Sequence, residues 1–220
     1  MSLDRRRTAL IVDPADGRLP AFVSGAKARA TARAKRPYDD PEGADLADRC
    51  LLAIRANGSQ ASPPIIPSPV FAPYYQIVQT DDYVMILSEW YHDARIIRLH
   101  GGHLPTSIRR WLGDSVGQWE GKTLVVDTTN FRPDVQAINS SDQLHVVERF
   151  TRIDASTILY RATVTDPGTW VSPWTAELTF RATTYPMFEY ACHEGNRAIE
   201  NYMRGARFEE QSTTAEKPKK

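Results

Sequence analysis

Five histidines carry the side chains best suited to proton transfer near neutral pH, and two of them stand directly beside a carboxylate. In Tyr91-His92-Asp93-Ala94-Arg95 an imidazole, a carboxylate and a guanidinium fall where one predicted strand ends and the next begins. Adjacent strand residues face opposite sides, so His92 and Asp93 share a site only if a turn or bulge lies there; otherwise Asp93 is a rim ion-pair partner for an Arg. In Tyr190-Ala191-Cys192-His193-Glu194-Gly195-Asn196, His193 beside Glu194 fits general acid or base work, and a capping His beside a solvated Glu is the alternative. The HExxH metalloprotease pattern begins at His193-Glu194 but is broken by Arg197, where the second His would stand. In His145-Val146-Val147-Glu148 the two polar residues fall on opposite faces of one strand, so either is interior, but not both. The candidate catalytic set is therefore His92, Asp93, Arg95, His145, His193 and Glu194. His92 and His193 would exchange protons, Asp93 and Glu194 would orient them, and Arg95 would offset developing negative charge.

His100-Gly101-Gly102-His103 has metal-like spacing, but the two glycines make a flexible loop and no Cys or carboxylate joins within the next turn, so no metal is expected. Trp111, Trp119, Trp170 and Trp174, with Tyr190, could wall an apolar or aromatic ligand, or serve as core and rim packing. No nucleophile elbow, P-loop or dinucleotide fingerprint occurs, and no organic cofactor is expected. Two functions fit: a lyase, hydratase or isomerase moving protons on a small apolar or aromatic substrate, or a non-catalytic carrier of such a ligand.

These residues need a frame. The 220 residues suffice for one large domain, and 27 basic against 27 acidic residues leave no global field for nucleic acid or an acidic membrane. No apolar run approaches the roughly 20 residues of a membrane span, so a soluble chain is expected. Ala9-Leu10-Ile11-Val12 reads as an edge strand or arm, and the Ala-rich segment Ser24 to Arg36 as a helix stopped by Pro37. A second short helix is predicted around Ala44 to Arg55, completing an N-terminal arm and helical segment over residues 1–60. Five prolines between Ser62 and Pro73 make residues 61–74 an extended connector.

Beyond it, β-branched and aromatic runs predict strands at Tyr75 to Gln79, Tyr83 to Trp90, Ala94 to Leu99, His145 to Arg152, Thr157 to Thr165, Thr175 to Thr183 and Phe188 to Cys192. Turns at Gly121-Lys122 and Asp154-Ala155-Ser156 add hairpins. About nine short strands predict a mainly β fold: an antiparallel, lipocalin-like β-barrel over 75–210 with a disordered tail at 211–220. The two cysteines, Cys50 and Cys192, fit either two buried thiols or one disulfide. The start lacks the apolar core of a secretory signal, yet reads as though a leader had been replaced.

Several stretches belong to one pattern: Arg7-Thr8-Ala9-Leu10-Ile11-Val12-Asp13-Pro14, Arg49-Cys50-Leu51, His92-Asp93-Ala94-Arg95-Ile96-Ile97, Trp111-Leu112-Gly113-Asp114, Asp127-Thr128-Thr129-Asn130-Phe131, His145-Val146-Val147-Glu148-Arg149-Phe150, Trp174-Thr175-Ala176-Glu177 and Tyr190 to Asn196. Together they resemble a largely uncharacterised family of bacterial, usually exported, β-rich proteins. The resemblance implies a periplasmic or secreted location. Because Cys50 and Cys192 both lie in family-like motifs, an oxidising compartment implies that they are bridged. His92, His145 and His193 lie in such motifs, whereas His100 does not.

Overall fold

Alternation of apolar and polar residues lays down the strands that frame the molecule. The computed structural model describes residues 9–34, 40–52, 54–55, 58–59, 62–66, 74–133 and 137–215. The strands are β1 (Ile11–Asp13), β2 (Ile54–Arg55), β3 (Gly58–Ser59), β4 (Tyr75–Gln79), β5 (Tyr83–Ser88), β6 (Ala94–Arg98), β7 (Asp114–Glu120), β8 (Thr123–Thr129), β9 (His145–Arg152), β10 (Thr157–Thr165) and β11 (Trp174–Arg181). β2 and β3 form a small separate hairpin, and the other nine strands make one sheet ordered β1-β11-β10-β9-β8-β7-β6-β5-β4.

The expected closed antiparallel barrel is not formed. β1 and β4 end the sheet without pairing to each other, and β6 pairs with β7 in parallel, so the sheet is mixed and open. The cause is the connection over residues 99–113: a parallel neighbour cannot be reached by a tight turn, and this long excursion returns the chain to the end where β6 began. The sheet still curls, since the Tyr75 ring on β4 meets the Phe180 ring on β11 edge-on at 5.6 Å, although those strands do not pair. Its inner face carries the core: Val84, Ile86, Ile97, Leu124, Val126, Val146, Phe150, Ala162, Val164, Trp174 and Leu178 are all buried.

The helices also depart from expectation. Helix α1 spans Ala26–Ala34, inside the predicted Ser24 to Arg36, but in place of a second helix the chain forms a 3-10 turn at Pro41–Gly43 followed by hydrogen-bonded turns to Cys50, so the expected N-terminal helical segment is not formed among the described residues. Asp40 starts that 3-10 turn, its carboxylate accepting the Glu42 N–H at 2.7 Å, and the chain then turns rather than propagating. The long helix is α2 (Ala198–Ala215), placed where the sequence suggested barrel and tail. Asn196 caps it, accepting the Ala198 N–H at 2.9 Å, and Glu200 pairs with Arg197 and Arg204 along its surface. The predicted strand at Phe188 to Cys192 is irregular chain; residues 35–39, including the Pro37 stop, and most of the Pro-rich connector lie outside the described residues. No helix among the described residues is long and apolar enough to cross a membrane.

Candidate functional site

The two faces of the sheet divide the polar residues of β6 to β10. On the inner face, Arg95, Ser115, Thr128, Glu148 and Tyr160, one from each of five successive strands, form a buried network. Arg95 Nη1 donates to Glu148 Oε1 at 3.1 Å, Nη2 donates to Oε2, and Nε donates to Ser115 Oγ at 3.1 Å. Ser115 Oγ lies 2.9 Å from Thr128 Oγ1. The Tyr160 hydroxyl donates to Glu148 Oε1 at 2.7 Å and accepts the Ile65 N–H at 2.8 Å. Burial, with the Glu148 charge beside it, pushes the Tyr160 phenol well above its ordinary range, so it stays a neutral donor. Every charge here is compensated inside the core, which suits the network to fixing the strands in register.

On the outer face a second chain of groups runs across β6 to β9. His145 Nε2 lies 2.9 Å from both carboxylate oxygens of Asp127, and His103 Nε2 lies 2.9 Å from Asp127 Oδ1. His103 Nδ1 sits 3.1 Å from Asp114 Oδ2, and Arg98 grips Asp114 through Nη1 at 3.0 Å and Nη2 at 3.2 Å. The 99–113 excursion brings His103 here: Leu104 N–H donates to Asp114 at 2.9 Å, and Asn130 holds the Leu104 carbonyl at 2.9 Å. The hydrogen bond to Asp127 raises the His145 pKa against opposing burial. Asp127 is lowered chiefly by the His145 hydrogen bond. Burial raises Asp114, but the Leu104 N–H, Arg98 and His103 more than offset it and leave it lowered. Two imidazoles on one carboxylate can pass protons, but the arrangement is a half-exposed surface. Among the described residues, no group of His, Cys, Asp or Glu is suited to hold a metal ion.

A third polar region surrounds the disulfide. Cys50 and Cys192 are bridged, with Cα atoms 5.8 Å apart, as the family resemblance implied. Tyr91 and Tyr190 meet with ring centroids 4.7 Å apart, and Trp90 packs edge-on against both. His92 Nε2 accepts the Tyr190 N–H at 3.3 Å, and Asp93 closes the 3-10 turn Trp90–His92. Tyr91 and His92 both adopt left-handed backbone, with φ of 58° and 52°. His193 is exposed, and Glu194 borders a shallow cleft of about 280 Å³ beside Asp48 and Asn196.

The sequence-predicted set is thus divided. His92, Asp93, His193 and Glu194 belong to the disulfide corner, His145 to the outer face, and Arg95 to the buried inner network. Of the open pair in β9, Glu148 is interior and His145 is outside. Trp170 and Trp174 are core residues packed edge-on at 5.6 Å, and Trp111 lies under the Arg132 guanidinium at 4.1 Å.

None of the expected ligand-walling residues, Trp111, Trp170, Trp174 or Tyr190, is among the described residues lining a cavity of about 530 Å³ where the two flanks of the curled sheet approach. Its apolar wall is Ile65, Tyr75, Ile77, Ile86, Phe150, Ile158 and Phe180, and its polar residues include Arg152, Ser156, Thr157, Arg181 and Thr183. Burial raises the Tyr75 phenol above its ordinary range. Sequence reasoning treated these residues as strands, a turn at Ser156 and, for Ile65, the Pro-rich connector, and not as a site. The available signal was the row of large inward side chains Phe150, Ile158 and Phe180 near the β9–β10 turn.

Compared with known proteins, the chain matches no family model, no curated protein and no solved structure.

Proposed function

We propose that the protein binds a small, largely apolar or aromatic molecule in the 530 Å³ cavity and releases it unchanged. The observation that carries this reading is the cavity's lining: aromatic and aliphatic side chains with a few hydroxyls and guanidiniums, and no imidazole or carboxylate among its described lining residues. Such a wall offers apolar contact and orientation without an acid–base pair. The disulfide supports an oxidising, periplasmic or secreted setting.

The test is a fluorescence titration with N-phenyl-1-naphthylamine, a neutral aromatic probe, expected to saturate at one site. Ala182→Trp, which places an indole at an exposed position of the cavity lining, should abolish that signal while the far-ultraviolet dichroism is kept. Absence of saturable binding by the unaltered protein refutes the reading.

A lyase, hydratase or isomerase is the second reading, favoured by the two imidazoles sharing Asp127. Chromatography with mass spectrometry after incubation with a panel of aromatic metabolites separates the two readings. An enzyme consumes its input, and His145→Gln should then slow turnover by about 10²- to 10⁴-fold.

A further inference from the structure

We infer that the cavity's ligand is an amphipathic anion, with an apolar body seated among the rings and a carboxylate or comparable oxyanion held at the mouth. The inference rests on the cavity being the binding site and adds the chemical class of what it takes.

Arg152 and Arg181 both line the cavity and are both exposed. They flank β10 and leave opposite faces of the sheet, Arg152 of β9 being opposite Ile158 and Arg181 of β11 opposite the adjacent Thr157, so they reach the cavity from the two sides of its rim. No Asp or Glu is among the described lining residues to neutralise them. Arg152 Nη2 donates to the Ala155 carbonyl at 2.7 Å, which braces the guanidinium against the turn and uses one of its five N–H donors. The Ser156 hydroxyl donates to Asp154 at 3.1 Å and the Thr157 side chain also bonds Asp154, a turn carboxylate outside that lining, so neither hydroxyl serves as a head-group donor. A guanidinium fork is weakly hydrated and matches a carboxylate in shape, so the two of them with the Thr183 hydroxyl make a head-group site. A cationic head would meet like charge, and a neutral one would leave the positive field unused. The apolar wall meanwhile takes a body by area, without regard to its exact outline.

The experiment is competition for bound N-phenyl-1-naphthylamine by two molecules sharing one chain, dodecanoate and 1-dodecanol, below their aggregation limits. Dodecanoate should displace the probe at about 10- to 100-fold lower concentration. The preference should shrink as salt rises and should disappear in Arg152→Gln/Arg181→Gln, whose retained probe binding reports an intact cavity. The salt series on the unaltered protein provides the same test should that variant fail to fold. Equal displacement by acid and alcohol at every salt concentration, with the probe still bound, overturns the anionic head group and leaves the cavity reading standing. Failure of the probe to bind overturns both.

Discussion

Glu148 has no exposure to water, and it is tolerated because Arg95 and the Tyr160 hydroxyl supply donors to both of its oxygens. Removing one partner of such a pair leaves a buried charge uncompensated, so Glu148→Ala should cost about 3 to 5 kcal/mol in urea unfolding. Arg95→Met combined with Glu148→Leu should recover most of that loss, because neither charge then remains. The outer pair behaves differently, since His145 and Asp127 have side chains 42% and 44% exposed. The imidazole titrates above its ordinary 6.5 and the carboxylate below its ordinary 3.8. The stabilisation due to raised His145 is complete below 6.5 and is lost as pH rises through its folded value; that due to lowered Asp127 is complete above 3.8 and is lost as pH falls through its folded value. Solvent screening keeps the pair under about 1 kcal/mol. The stability difference between the unaltered protein and His145→Gln should therefore be present at about pH 5.5 and absent by about pH 9; a constant difference would contradict the assignment. Some of this could be read beforehand. Glu148 sits between Val146 and Phe150 on an apolar stripe, which demands a buried partner, whereas His103 and Asp127 meet only because a long loop folds back.

At the scale of elements, β9 and β10 occupy the ranges that their alternation predicts, because each has one face in the core and a turn at its end, and the exposed β4 keeps its predicted range because the turn to β5 ends it. The parallel β6–β7 pair was not legible, since residues 99–113 read as loop whichever way the chain returns. α2 was missed although Asn196 and the Glu200–Arg204 spacing announce it, because its weakly apolar surface leaves little periodicity. The entry into β7 depends on Gly113, which has φ +74° and whose added Cβ would stand 2.6 Å from Thr128 Cγ2 and 2.8 Å from Phe131 Cε1. Gly113→Ala should cost about 2 to 5 kcal/mol, combining left-handed strain with overpacking. Gly25, with φ +83° and open space around it, is the control: its Ala variant should lose only about 1 to 2 kcal/mol. Equal melting points for the two variants would show that the close contact at Gly113 relaxes freely.

For the whole molecule, curvature was legible as a mainly β chain, but closure was not: whether two flanks of a sheet bond or merely approach depends on strand direction and tilt, which alternation does not encode. The Cys50–Cys192 bond spans a sequence separation of 142, and reducing it should lower unfolding free energy by up to about 5 kcal/mol on the chain-entropy model, read as a lower urea midpoint in dithiothreitol. An unchanged midpoint would mean that the sheet alone holds the two cysteines together. The same separation orders events during biosynthesis. Cys50 emerges before any strand from β2 to β11 exists, and at roughly 5 to 20 residues per second it waits on the order of 7 to 28 s for its partner. Through that interval its thiol is open to any passing oxidant, so the correct bond forms only after β2 to β11 have been made, and its yield measures how faithfully all that lies between the two sulfurs has been assembled.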